Sequence, residues 1–262
     1  MGLAAGAGLA WGHFEAGWVR LRALDVVVPR LPPELAGLRL AHLSDFHLGV
    51  PSRSRRAVER AVAWVEERRP DLVAVTGDLL ARPNAAAALH EFLARLGRPF
   101  VVLGNHEVAE TRDPFSRAAV FDDLDGVELL VDEARTLELR GRRVQVVGVD
   151  PAAFRRGVSR PHRFVDAHAD LRILLCHFPY VLDRLPRGAF DLVLAGHMHD
   201  GQITVPYGFG KLRLAHPRAR YACGLYERDG TVMHVSSGLG TTFVPFRFAA
   251  RPEATELRLV PS

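Results

Sequence analysis

Five short apolar runs, each ending in a polar side chain of a restricted kind, constrain this chain more than any other feature. Leu38 to Leu43 leads through Ser44 to Asp45-Phe46-His47, and Leu72 to Val75 leads through Thr76-Gly77 to Asp78. Phe100 to Leu103 leads through Gly104 to Asn105-His106-Glu107. Leu171 to Cys176 leads to His177, and Leu192 to Ala195 leads through Gly196 to His197-Met198-His199. Such runs, bounded by turn residues, predict buried strands, and Val144 to Val149 predicts another. Open α/β sheets bind ligands beyond the carboxyl ends of their strands. The pattern therefore delivers Asp, His and Asn side chains to one edge, with Gly77, Gly104 and Gly196 permitting sharp exits.

The segments between the runs support an α/β architecture. Ser54 to Arg69 carries Ala57, Val58, Ala61, Val62 and Val65 on one helical face and stops at Pro70. Ala85 to Leu96 predicts a second helix, and Phe115 to Leu124, behind Asp113-Pro114, a third. Past Gly201 the segments Ile203 to Val205, Lys211 to Leu214, Arg220 to Leu225, Val232 to Ser236 and Thr255 to Val260 are short and strand-like. They predict a second sheet packed on the first. No linker divides the chain, so residues 21–262 are expected to form a single domain. Residues 1–20 form an apolar segment with Trp11, Phe14 and Trp18, too short to span a bilayer. It is expected to be either an anchor remnant or a disordered end leading into a first strand.

Composition narrows the class. The chain is 262 residues long, 48% hydrophobic and 24% charged, as an ordinary globular protein is. Its net charge of +4 permits an anionic substrate without demanding nucleic acid, and no specific nucleic acid is predicted. Lys211 is the sole lysine among 34 basic residues; guanidinium groups suit phosphate, but the bias as a whole is read first as that of a GC-rich or heat-adapted genome. Cys176 and Cys223 form no CxxC pattern and read as two buried thiols.

Each polar fragment alone has an ordinary explanation as a cap, a turn or a hydrogen-bonded histidine. Five in order, each after a strand, do not. Asp and His with one amide suit Mn²⁺, Zn²⁺ or Fe²⁺. A carboxylate can bridge two cations about 3.5–4 Å apart, a pair that clamps both oxygens of an in-line phosphoryl displacement and lowers the pKa of water.

The order D-x-H, G-D, G-N-H-E, H, G-H-x-H resembles the calcineurin-like metallophosphoesterases over about residues 38–200. Leu35 to Arg39, Gly196 to Gln202, Gly224-Leu225-Tyr226, Ser237 to Thr241, Phe246-Arg247-Phe248 and Arg251-Pro252-Glu253 are similar to the bacterial YaeI/YkuE-like phosphodiesterase branch. The resemblance implies a four-layer fold, two mixed β-sheets packed face to face and flanked by helices. It implies two divalent metal ions, one on Asp45, His47 and His199, the other on Asn105, His177 and His197, bridged by Asp78. It further implies a metal-bridging hydroxide as nucleophile, with His106 beside the phosphate and Glu107 orienting that imidazole. The implied activity is hydrolysis of a phosphodiester or pyrophosphate, on a phosphate-ester small molecule or a lipid-linked substrate such as UDP-2,3-diacylglucosamine. A phosphomonoesterase and a catalytically silent metal-binding scaffold are the alternatives. Branch members often have Gly where Asp200 stands, so Asp200 is expected either to adjust the metal rim or to do nothing special.

Weaker signals are read conservatively. Arg53, Arg55 and Arg56 are expected to be a solvated helix start, with an anionic substrate or membrane as the alternative. Arg155, Arg156, Arg160, His162 and Arg163 form a basic loop with the same ambiguity. His42 alternates away from Asp45 and is expected in the core, while His13, His90, His168, His216 and His234 are expected to be structural or exposed. Phe243, Phe246 and Phe248 alternate like a strand face, for core packing first and an apolar rim for a lipid tail second. Localisation is expected to be cytoplasmic or peripherally membrane-associated.

Overall fold

The strands that carry the polar termini are buried on both faces, which requires material above and below them. The structure, a computed structural model, describes residues 2–114, 117, 124, 126–208 and 210–262. In chain order the elements are α1 (Gly2–Glu15), β1 (Arg20–Val28), β2 (Arg39–Leu43), α2 (Ser54–Arg68), β3 (Leu72–Thr76), α3 (Ala86–Arg95), β4 (Phe100–Val102) and β5 (Glu128–Leu129). There follow β6 (Glu133–Leu139), β7 (Arg142–Gly148), α4 (Pro151–Arg155), β8 (Leu171–Leu175), β9 (Leu192–Ala195), β10 (Thr204–Tyr207), β11 (Gly210–Arg213), β12 (Gly224–Arg228), β13 (Thr231–Val235) and β14 (Glu253–Pro261).

Two six-stranded sheets run β1-β14-β2-β3-β4-β5 and β12-β13-β9-β8-β7-β6, with β10-β11 as a separate hairpin. Strands β2 to β5 are parallel, as are β7, β8, β9 and β13, whereas β14 meets β2 antiparallel. Both sheets are therefore mixed. Alternation along each strand divides the core. Leu40, Ala74, Val102, Leu257, Val144, Ile173 and Leu194 fill the space between the sheets. Ala41, Leu43, Val75 and Val101 face α2 and α3 through Val58, Val62, Leu89 and Phe92. Val147, Leu174, Val193 and Met233 face outward against Phe154, Phe178 and Phe190. Layers of helix, sheet, sheet and short helical turns result, the expected four-layer fold.

Three expectations are corrected. Of the strands past Gly201 only β10 and β11 make a sheet of their own. β12 and β13 extend the second sheet, and β14 enters the first between β1 and β2, where Leu257 and Leu259 reach the inter-sheet core. Of the two readings of the N-terminal segment, the disordered end is set aside: α1 packs on residues 247–250, its Gly12 carbonyl accepting from Arg247 N at 3.0 Å and Glu15 Oε1 from Ala250 N at 2.9 Å. Phe243, Phe246 and Phe248 form no strand face; Phe243 is exposed with φ 57°, and Phe248 lies under Gly12. The helix expected over 115–124 falls almost wholly outside the described residues. No helix among the described residues is long and apolar enough to cross a membrane.

A buried polar chain ties the two sheets together just below the polar edge. Thr76 Oγ1 donates to Ser44 Oγ (2.8 Å), and Ser44 Oγ donates to the Thr76 carbonyl (3.1 Å). His42 Nε2 must then donate to Thr76 Oγ1 (2.9 Å), leaving His42 Nδ1 to accept from His234 Nδ1 (2.7 Å). Both rings are thus neutral, as expected for His42 in the core. Burial pushes His234 down to about 3, and burial with His234 as neighbour pushes His42 well below the usual imidazole range.

Below pH ~6.5 the unfolded chain takes up protons that this folded pair refuses, so stability falls as pH drops toward 3. Replacing both with Gln (His42→Gln/His234→Gln) is expected to reduce the loss in urea midpoint between pH 7 and pH 5 relative to wild type. Parallel losses in the two proteins would contradict the neutral pair.

Candidate metal centre

All five polar termini meet at one edge of the double sheet. Asp45 and His47 follow β2, Asp78 follows β3, Asn105 and His106 follow β4, His177 follows β8, and His197 and His199 follow β9. The exits are strained. Asp45, His47, Asp78, His197 and His199 all have positive φ, between 45° and 74°. Non-glycine residues rarely adopt that region, and such strain concentrates at functional sites. Backbone bonds lace the loops together: Asp45 N donates to Gly77 O (2.9 Å), His47 N to Asp78 O (2.9 Å) and Gly240 N to Asp45 O (2.6 Å). A Cβ on Gly77 would come 2.6 Å from Gly104 N, so only glycine lets these two exits pass.

The donor atoms converge. His47 Nε2 lies 3.1 Å from His199 Nε2, and His177 Nε2 lies 3.1 Å from both His197 Nδ1 and Asn105 Oδ1. Asp45 Oδ1 is 3.3 Å from His199 Nε2. Asp78 stands between the groups. Its Oδ1 accepts from His106 N (3.0 Å), and its Oδ2 is 3.5 Å from His47 Nε2 and 3.3 Å from His177 Nε2. Possible ligand atoms of Asp45, His47 and His199, and those of Asp78, His177 and His197, lie within 4.8 Å of one another in each set. All seven expected ligand residues are brought together.

Electrostatics says what the cluster lacks. Asp45 is fully buried, yet His199 and His177 outweigh burial and hold it below the carboxylate range. Burial opposes charge on His177, but Asp78 and Asp45 prevail and push it up to about 9. Burial, then His177, pushes His197 down to about 3. Two dry carboxylates call for positive charge: the proton on His177 supplies part of it, while His197 offers a lone pair. Divalent cations fit that donor set. The Thr76 carbonyl, 2.8 Å from His177 Nδ1, accepts the proton there and turns Nε2 to the centre.

Residues 38–201, well over half of the chain, match the family model for calcineurin-like phosphoesterases. The chain belongs to that family. Its members hydrolyse phosphate esters at a dinuclear divalent metal centre, and the clusters described above are the candidate ligands for one. The chain is 32% identical over 260 residues to a zebrafish (Danio rerio) transmembrane protein with metallophosphoesterase domain, covering 91% of this chain and 57% of the relative. It is 26% identical to the metallophosphoesterase YkuE of Bacillus subtilis (98% and 91% covered) and 25% identical to the phosphodiesterase YaeI of Escherichia coli (98% and 95% covered). Among solved structures it is similar to the calcineurin-like phosphoesterase YfkN of Bacillus subtilis, TM-score 0.47 and 14% identity over 78% of this chain and 82% of that one.

In this phosphoesterase domain, a cavity of about 860 Å³ opens over the cluster. Asp78, Asn105, His106, His197 and His199 form its floor. Thr111, Arg112 and Arg155 contribute a polar side, and Ile203, Leu214, Phe243 and Val244 an apolar one. Arg155, expected only as part of a basic loop, is held at the cavity by the Glu110 carbonyl (3.0 Å) and carboxylate (3.1 Å). His216 also lines it, its ring centroid 6.3 Å from that of His197, a place no local pattern announced.

Two neighbours hold the loops around the centre. Glu107 accepts from the backbone amides of Asp78 (2.8 Å), Leu79 (2.8 Å), Leu80 (3.2 Å) and Gly104 (2.7 Å). Burial and the Asp78 charge push Glu107 up to about 7 against those donors. The His106 ring meets Thr111 Oγ1, 3.1 Å from Nε2. Asp200 takes salt bridges from Lys211 (2.7 Å) and Arg213 (3.0 Å), pinning the β10-β11 hairpin to the His199 turn. Arg247, fully buried, was missed as a site residue. Its Nη2 lies 3.0 Å from His199 Nδ1, and it donates to the carbonyls of Gly240 and Ala250.

Glu107→Gln turns an NH₂ group toward amide donors. We expect it to lower stability by about 1–3 kcal/mol, read from chemical denaturation, together with activity. Lost turnover at unchanged stability would instead indicate a role confined to His106.

Proposed function

We propose that the domain hydrolyses phosphodiester or pyrophosphate bonds. The observation that carries this reading is the position of Asp78 Oδ2 between two donor sets at the cavity floor. Asp45, His47 and His199 would hold one divalent cation, and Asn105, His177 and His197 the other, with Asp78 common to both. Bound there, Mn²⁺, Zn²⁺ or Fe²⁺ would supply Lewis-acid stabilisation of phosphoryl charge and acidify water.

The chain's own residues do the rest. His106, anchored through its amide to Asp78 Oδ1, presents its imidazole at the floor with Nε2 3.8 Å from Asp78 Oδ2. From there it stabilises a phosphoryl oxygen or gives a proton to the leaving oxygen. Arg155 and Arg112 offer guanidinium groups to the phosphate or to a polar substituent. The apolar side of the cavity receives a second substituent, which favours a diester or pyrophosphate over a monoester. A substituent that fits Ile203, Leu214 and Val244 is apolar, so a lipid-linked phosphate ester is the substrate class this wall supports.

Purified protein supplied with Mn²⁺ is expected to hold close to two equivalents by elemental analysis and to hydrolyse bis-p-nitrophenyl phosphate faster than p-nitrophenyl phosphate. Asp78→Asn and His106→Ala are each expected to lower diester turnover by about 10²-fold or more. Rates unchanged in both variants would contradict the mechanism, and a faster monoester would contradict the substrate class.

A further inference from the structure

Helix α1 turns its largest side chains outward. Leu9, Trp11 and Phe14, and Trp18 just past its end, are 51%, 50%, 46% and 39% exposed. The rings form one patch, with centroids of Trp11–Phe14 and Phe14–Trp18 each 5.7 Å apart and Trp11–Trp18 6.2 Å apart. The helix has no acidic or basic side chain besides His13 and Glu15, and Glu15 is buried, accepting from Trp11 Nε1 and Ala250 N. Exposed aromatic side chains with a polar tip are the kind that settle at a membrane–water interface.

Unpaired positive charge flanks the patch. The Arg251 guanidinium lies 3.7 Å over the Trp18 ring and spends its donors on the carbonyls of Trp18 and Val19. The Arg53 side chain abuts Gly17, and Arg56 and Arg60 follow it along one face of α2 at helical spacing. Arg68, Arg95 and Arg142 pair with carboxylates elsewhere, but Arg53, Arg56, Arg60 and Arg251 do not among the described residues.

The patch also communicates with the cavity. Phe248 lies under Gly12 of α1, and five residues earlier Phe243, 52% exposed, stands at the cavity lip. Thr204 N donates to Phe248 O at 2.9 Å, seating on the same segment the hairpin that exposes Val205, Tyr207, Leu212 and Leu214.

We propose that α1, the arginine stripe of α2, the β10-β11 hairpin and Phe243 form a docking surface for an anionic phospholipid bilayer. The aromatic rings lie at the level of the headgroups, and the arginines pair with lipid phosphates. The cavity mouth is thereby held against the membrane surface. This inference goes beyond the phosphoesterase reading and does not depend on it.

The test uses the full chain with vesicles of phosphatidylcholine alone or mixed with phosphatidylglycerol. Two of its three tryptophans lie in the patch, so emission reports docking directly. Wild type is expected to co-sediment with the anionic vesicles about tenfold or more tightly than with neutral ones, less so in high salt. Its emission shifts to the blue and is quenched by lipids brominated near the headgroup. Trp11→Ser/Phe14→Ser/Trp18→Ser loses binding to both vesicle types, and Arg56→Glu/Arg60→Glu loses the anionic preference. Both variants keep wild-type melting and diester hydrolysis. Absence of anionic preference in wild type, or wild-type binding by the charge variant, overturns the proposal. So does a wild-type dimer, without vesicle binding, that the aromatic variant converts to monomer.

Discussion

Two carboxylates, Asp45 and Asp78, are buried side by side where the two sheets meet, and the rest of the site follows from that burden. A dry carboxylate is costly unless paired with positive charge or hydrogen-bonded. Asp45 receives the His197 amide on both oxygens, and Asp78 receives the His106 amide on one. Those bonds leave Asp78 Oδ2 facing imidazole nitrogens from both sheets. The first sheet contributes Asp45, His47, Asp78 and Asn105, and the second His177, His197 and His199. Neither sheet alone could assemble the set.

The supporting groups are chosen for holding geometry rather than for chemistry. Glu107 gathers four amides under Asp78, Thr76 and Ser44 link the β2 and β3 exits, and Arg247 backs His199 from a wholly buried position. Positive φ at five of the expected ligands means that side chains of the wrong shape or a missing staple would let the loops relax. The exposed face built from α1 and the hairpin meets the cavity through the segment from Phe243 to Phe248 and through the Asp200 salt bridges of Lys211 and Arg213.

Much of the centre was legible because each ligand follows an apolar run whose burial the pattern reveals. The runs place Asp45, Asp78, Asn105, His177 and the two histidines around Met198 at one edge. Edge strands were not legible. β1 and β6 alternate apolar residues with Arg20, Arg22, Asp25, Glu133 and Arg135, since one face meets solvent, and such alternation without a run is faint. The partition of the last strands among sheets depends on tertiary pairing, which local pattern cannot report. Arg247, His216 and the true partners of Glu107 depend on loops folding back, as does the exposure of Phe243. His42 was placed in the core correctly by alternation alone, but its partner, His234, lies 192 residues away.

We propose that two cations share Asp78. Anomalous diffraction from crystals grown with Mn²⁺ tests it most directly. Two peaks about 3.5–4 Å apart are expected, with the Asp78 carboxylate between them and His199 and His177 on opposite sides. A single peak, or two peaks that do not share Asp78, would contradict the account.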